Sequence, residues 1–539
     1  VRLGVRSIWV VSLLIVAVPA CEEGDLGPGI RDPVSPDDDD AADDDDAVDD
    51  DDATDDDDAT DDDDAVQEPC TGDTTVTSLL ELTALEQCET LPGDLTIVDT
   101  DLTDLAPLAN LTSVGGDLFI DINASLTTLE GLSSLATVGG MLRVLDNDGL
   151  RDLAGLSTLA SVGSHLVIAD NALLVDVSGL SNLSTVGGNL TFGGNNALPN
   201  VDGLEGITTV RGALDVQRNT LLRDLDGLSG LQAVPEVDIG GNPVLENIDF
   251  LAGHVALSES FSLSDNDSLD DLGGFSSIAS TSSSIWISGN DALSSLAGLG
   301  ALTVVSGSLS IDDNDALTSL DGLQGLAVLG SGGGGGLWIR YNDALTSVDA
   351  LSSLTSPGAA LVFTANDALP AIEGLTSLAS LPGRLYVGYN DALTSIAGFA
   401  GLTSTGGRVR IEHNAALPNL AGLEALASVG GHFEVDSHPS LTTLEALGGL
   451  TSVGGSFYIL NNPILPDLDG FEALSSVGGL VSVQNNDVLT TLGPLEDLTA
   501  VGGSVYVVGN PLLCQSSVDA LLAACGCPVG NLSGTDAGC

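Results

Sequence analysis

Residues 114–138 read V-G-G-D-L-F-I-D-I-N-A-S-L-T-T-L-E-G-L-S-S-L-A-T-V, and Val138 opens the next V-G-G. The same pattern recurs from about Leu91 to Leu513: L-x-I-x-x-N-x-x-L, then Leu or a relative at three-residue steps, then V-G-G. Its Asn runs from Asn123 to Asn510 at a spacing of almost always 24, with 23 before Asn242 and 28 before Asn342. The longer step coincides with G-G-G-G-G at 332–336. Thr100 fills the first slot, and His438 stands one period after Asn414. Self-similarity at this period over about 18 turns predicts a mainly β solenoid.

In L-x-I the two apolar side chains share one face, which predicts a short strand with one inward side. V-G-G before it predicts a bend in which Gly takes positive φ. An Asn buried after the strand would satisfy backbone groups at the corner, and stacked turns would line these Asn into a ladder. Leu at three-residue steps is too tightly spaced for a regular α-helix. No turn can bury its apolar side alone, so the turns must stack. At roughly 4.8 Å per turn, such a rod is about 85 Å long.

The pattern resembles the leucine-rich solenoids, although the step here is N-x-x-L rather than N-x-L. With V-G-G-x-L-x-I before the Asn, it more closely resembles the receptor L domain. That resemblance covers about 420 residues. It implies a right-handed β-helix and a ligand-binding or surface role. There is no Cys-rich partner domain and no kinase, so receptor signalling is not carried over.

Solenoid ends expose core and sheet edge and need caps. Cys70 and Cys88 lie at one end; Cys514, Cys525, Cys527 and Cys539 crowd the other, with no Cys between 88 and 514. In an oxidising compartment these read as disulfide staples. A Cys70–Cys88 bridge would close a 70–90 cap. In 514–539, Cys514 could pair with Cys525 or Cys527, leaving Cys539 for the other. S-S-V-D-A-L-L-A-A-C (516–525) reads as a short helix with Ser516 or Ser517 as its N-cap. No His accompanies these Cys and C-x-x-C is missing, so a zinc site is not expected.

Residues 1–20 carry Arg2, Arg6 and an apolar stretch, followed by V-P-A-C at 18–21. This reads as a signal peptide. The four residues resemble a bacterial lipobox, which implies lipidation of Cys21 and export to the envelope of a diderm bacterium, at the outer membrane or cell surface. Between Pro36 and Gln67 lie five Asp tetrads. They cannot form a core, so 21–69 reads as a disordered, extended anionic linker. Weak Ca²⁺ binding is the functional alternative for it, without the ligand spacing of a defined calcium loop.

The chain has 78 acids, no Lys and 12 Arg, for a formal net charge of −66. From Cys70 onward 53 acids face nine Arg, about −44. Such a body repels nucleic acid and anionic lipid, so membrane contact is expected through the lipid alone. No H-E-x-x-H, phosphate loop or organised Ser–His–acid set is present, and no particular carboxylate pair stands out among so many. The expectation is a non-enzyme without a cofactor or bound metal.

The residue between the two inward ones in each strand should face outward. Six of these eighteen slots are aromatic in a chain that is 3% aromatic: Phe119, Trp286, Trp338, Tyr386, Tyr458 and Tyr506. Aromatics suit exposed strands through packing across neighbours. The alternative is a binding stripe, since such residues dominate recognition surfaces. Arg340, Tyr341, Tyr389, Arg410, Glu412 and His413 join Trp338 and Tyr386 within four successive turns. The candidate ligand-binding residues are therefore Trp286, Trp338, Arg340, Tyr341, Tyr386, Tyr389, Arg410 and His413. The expected function is a lipoprotein presenting a solenoid for binding or adhesion to an extracellular protein or glycan. The rival is a structural envelope or matrix component with low-affinity calcium binding, and an enzyme acting on polysaccharide is a distant third.

Overall fold

The computed structural model describes residues 70–253, 256–331 and 334–536. The leader, Cys21, the Asp tetrads and Cys539 lie outside them. L-x-I forms the expected strand in every repeat, and these strands join into one sheet of 20 parallel strands, from Thr74–Val76 to Val529–Ser533. Inward residues stack on their equivalents: Leu118 opposite Leu142, and Ile120 opposite Val144. All four are fully buried. The ladder absorbs both irregular spacings, since Leu214 pairs with Val237 and Leu309 with Leu337. The four-residue longer step before Asn342 therefore leaves the strand register unshifted. The result is a leucine-rich-repeat-like β-solenoid.

The Leu at three-residue steps finish the wall. In one repeat Leu150, Leu153, Leu156 and Leu159 are all fully buried. Leu156 N–H donates to Leu153 O, and Leu159 N–H to Leu156 O, at 2.8 and 2.9 Å. These i→i−3 bonds give three residues per turn, the 3₁₀ geometry that keeps every third side chain on one face. Short 3₁₀ segments such as Ala154–Leu156 recur along the body.

Two expectations about the bends are corrected. The residues just before G-G form a second ladder of two-residue strands, in three short sheets of 6, 5 and 6. Gly330 and Gly358 excepted, the glycines after them do not take positive φ. They are required by stacking: a Cβ on Gly139 would sit 2.1 Å from Gly115 O, and one on Gly163 would sit 2.0 Å from Gly139 O. Positive φ falls instead on the residue immediately before each ladder position, from Asp99 through Tyr341, Tyr389 and His413 to Gly509. Asp, Asn and Gly tolerate this conformation best and fill most of these corners.

The ladder itself is as expected. Asn147 donates its N–H to Asn171 Oδ1 at 3.1 Å, and its Nδ2 donates to Ile120 O at 2.8 Å and Leu145 O at 3.1 Å. Each corner is thereby tied to the turn on either side. His438 takes an Asn place: its N–H donates to Asn462 Oδ1, its Nδ1 accepts from Asn414 N–H at 3.3 Å, and its Nε2 lies 3.1 Å from Ile411 O. Thr100 starts the column, donating both N–H and Oγ1–H to Asn123 Oδ1.

Both ends are capped. Cys70 and Cys88 are bridged, and the helix Leu79–Ala84 is N-capped by Ser78. At the other end the helix spans Gln515–Cys525, and its N-cap is Cys514 rather than Ser516 or Ser517. Ser517 is buried and its hydroxyl accepts from Leu492 N–H at 2.8 Å, so it fastens the helix to the preceding turn. Cys525 pairs with Cys527, and neither takes the bridge to Cys514 that the spacing allowed. Gly526, at φ 57°, turns the chain back and leaves their Cα atoms 5.1 Å apart. Cys514 is itself disulfide-bonded.

Candidate ligand-binding surface

The outward slots of the long sheet stack in register, as Ser310, Trp338, Val362, Tyr386, Arg410 and Glu434 on successive strands. Their heights differ, and that difference makes relief. The turn carrying Val362, Thr364 and Ala365 presents small side chains, with Val362 4% and Thr364 8% exposed. On one side stand Trp338, Arg340 and Tyr341; on the other stand Arg384, Tyr386 and Tyr389. The small turn is the floor between them. Together with Arg408 these residues line a cleft of about 460 Å³.

Five of the eight sequence candidates thus share one cleft: Trp338, Arg340, Tyr341, Tyr386 and Tyr389. Trp286 does not join them. It is 43% exposed, with Ser262 and Ser310 as its strand neighbours. Arg410 and His413 lie behind the Tyr386–Tyr389 wall and brace it. Glu412, although on the outward face, is only 2% exposed. It accepts from Tyr386 Oη at 2.7 Å and from Arg410 at 2.6 Å. Arg410 also pairs with Glu434 at 3.3 Å. His413 stacks on Tyr389 with ring centroids 4.5 Å apart. Burial, followed by donation to Glu412, pushes the Tyr386 phenol pKa up, so it stays a neutral donor.

The arginines divide into two kinds. Arg340 is neutralised by Asp312 of the preceding turn, with Nε and Nη2 each 2.8 Å from a carboxylate oxygen. Arg384 and Arg408, which the sequence reading passed over, make no ion pair among the described residues and are exposed. Both stand one residue before the inward Leu385 or Val409, in R-L-Y-V and R-V-R-I. Strand alternation places that position outward as well; the signal was present one slot earlier than the slots considered. Burial first, then repulsion from Arg408 and Arg340, lowers the Arg384 pKa.

Other hollows offer less. A groove of about 630 Å³ follows the short strands near Cys525, lined by Ser, Thr, Val, Ala and Gly with no aromatic or charged group. Glu412, Glu434 and Asp436 converge closely enough to hold a cation, but Arg410 already lies against two of them. Among the described residues no helix is long and apolar enough to cross a membrane.

No family model matches the chain, and no curated protein matches it. Among solved structures it is similar to a chain in the crystal structure of a TLR13–ssRNA13 complex. Identity is 15%, coverage 81% of this chain and 80% of that one, and the TM-score 0.26.

Proposed function

We propose that this chain is a cell-surface lipoprotein whose right-handed, eighteen-turn solenoid of receptor-L-domain type binds or adheres to an extracellular protein or glycan. The observation that carries this reading is the cleft between Trp338 and Tyr386 on the face of the long sheet. Stiff rings bury much area at small entropic cost, and guanidinium groups add directional donors, a combination typical of binding hot spots. The same groups are poor proton carriers: Arg keeps its charge and Tyr386 its proton, so the reading is of a binder and not an enzyme. Export and anchoring rest on the leader and V-P-A-C at 18–21. Cys21 would carry the lipid, and residues 21–69 would hold the solenoid away from the membrane.

The test is the W338A/Y386A double variant of the full chain, assayed for binding to cells and to an array of glycans and envelope proteins. Binding should fall at least tenfold with the thermal midpoint within a few degrees of wild type. Unchanged binding would sink the proposal for this site. A separate variant, C21A, should lose lipid label and membrane association.

A matrix role with weak Ca²⁺ binding draws on a different feature. Asp267, Asp291, Asp315, Asp343, Asp367 and Asp391 follow the ladder Asn in six successive turns. Burial and then the neighbouring carboxylates raise the pKa of Asp291 and Asp343. Assembly that requires millimolar Ca²⁺ and no other ligand would favour this second reading.

A further inference from the structure

Arg384 and Arg408 are two positive charges side by side on one cleft. From Cys70 onward there are 53 acids for nine Arg. Arg143, Arg223, Arg340 and Arg410 pair with a carboxylate, whereas Arg151, Arg211, Arg218, Arg384 and Arg408 form no ion pair among the described residues. Arg384 and Arg408 sit at equivalent positions on adjacent strands, about 4.8 Å apart along the sheet, at the rim of one cleft and without an ion-pair partner among the described residues. Arg340 adds a third guanidinium close enough for repulsion to be felt at Arg384. Two neighbouring guanidinium groups without a direct ion pair, with a third beside them, form a receptor for an anion.

The walls define what carries that anion. Trp338 and Tyr386 stand on strands two spacings apart, with Val362 between them. Two spacings are about 9.6 Å, and a ring resting between two side chains needs about 3.5–4 Å on each side. The gap therefore admits one ring. A cleft of about 460 Å³ is within the usual range for small-ligand sites. Thr364 on the floor supplies a polar contact to a ring bearing hydroxyls, while Glu412 holds the Tyr386 hydroxyl in place. An extended peptide adding a strand is disfavoured, because the cleft lies on the sheet face where every strand is already paired. A long polyanion is disfavoured by the charge of the body.

We infer that the Trp338–Tyr386 cleft binds an acidic sugar, a hexose-sized ring bearing a carboxylate that is held by Arg384 and Arg408. The acidic residue stands at a chain end or among neutral sugars rather than in a continuous polyanion. This inference rests on the cleft being a ligand site and adds the chemical class of the ligand.

The test uses the full chain with four probes at low and physiological salt, read by calorimetry. They are a glucuronic acid-terminated disaccharide, the matching glucose-terminated disaccharide, polyglucuronate and an acidic hexapeptide. The acidic disaccharide should bind at least tenfold more tightly than the neutral one, and more tightly than polyglucuronate per acidic residue or the peptide. That preference should vanish in R384Q/R408Q and survive in R151Q/R223Q, which removes the same charge elsewhere. An acidic disaccharide that does not bind at millimolar concentration overturns the inference. So does a neutral disaccharide, polyglucuronate or peptide that binds as well, or a preference retained in R384Q/R408Q. If W338A/Y386A abolishes sugar binding while R384Q/R408Q changes nothing, only the acidic preference fails. If neither pair alters binding of any probe, the reading of the cleft as a ligand site fails with it.

Discussion

At the scale of single residues, the ladder position is where this sequence is least free. Each Asn there is fully buried and shares its amide with the turn on either side. His438 reproduces the essential bonds with a ring, Nδ1 accepting and Nε2–H donating, which fixes a neutral tautomer. Burial lowers its pKa from the ordinary 6.5. The unfolded imidazole gains its proton near 6.5, whereas the folded one resists it to lower pH. The stability it contributes is therefore complete above about 6.5 and is lost progressively as pH falls below that value. Replacing His438 with Asn should leave the thermal midpoint at pH 8 nearly unchanged and flatten its decline between pH 6.5 and 5. Thermal melts of the two proteins across that range decide it; parallel declines would contradict the assignment. The ladder was legible because buried polar groups that serve a backbone must recur at the repeat period.

At the scale of elements, strand alternation and the Leu spacing gave the sheet and the 3₁₀ wall, because both follow from local geometry. The glycines were misjudged because periodicity records which residue recurs and not what it touches. Gly163 is needed for closeness: a Cβ there meets Gly139 O at 2.0 Å, a backbone atom that cannot rotate away. Gly163→Ala should destabilise by about 3 kcal/mol, the upper part of the usual overpacking range. Gly448, at φ −58° with its nearest neighbour 3.5 Å from the added Cβ, provides the opposite sign. Gly448→Ala should stabilise by about 0.5 kcal/mol through the unfolded chain. Denaturant titrations of both variants check the pair of signs. The cleft escaped the sequence reading for a related reason. Trp338 and Tyr386 stand out in one turn each, but the hollow is made by Val362, Thr364 and Ala365 of the turn between them. Relief exists only across three registered turns, and small residues carry no signal of their own.

At the scale of the whole molecule, charge is the dominant fact. Outward carboxylates on adjacent strands oppose one another, as Asp215 and Asp238 do in register. Burial first, then Asp238, raises the Asp215 pKa to about 6, and its Oδ1 is buried without a hydrogen-bond partner. A carboxyl raised in the folded state stabilises most when protonated, and that stability is lost as pH rises through about 6. Asp215→Asn should raise stability at pH 7 by up to about 3 kcal/mol, and the gain should disappear below pH 4. A pH-independent difference in unfolding free energy would contradict this cause. Against so acidic a surface, the adjacent Arg384 and Arg408 beside a ring-sized slot make a place suited to attract an anion.

The central claim is that ligand enters between Trp338 and Tyr386, and the indole itself can report on it. The chain has only three Trp, so W9F/W286F leaves Trp338 as the sole one. Titrating that protein with the glucuronic acid-terminated disaccharide should shift Trp338 emission saturably and reduce its quenching by acrylamide. Calorimetric binding of the same disaccharide with Trp338 emission and quenching unchanged would place the ligand elsewhere on the solenoid and contradict the claim.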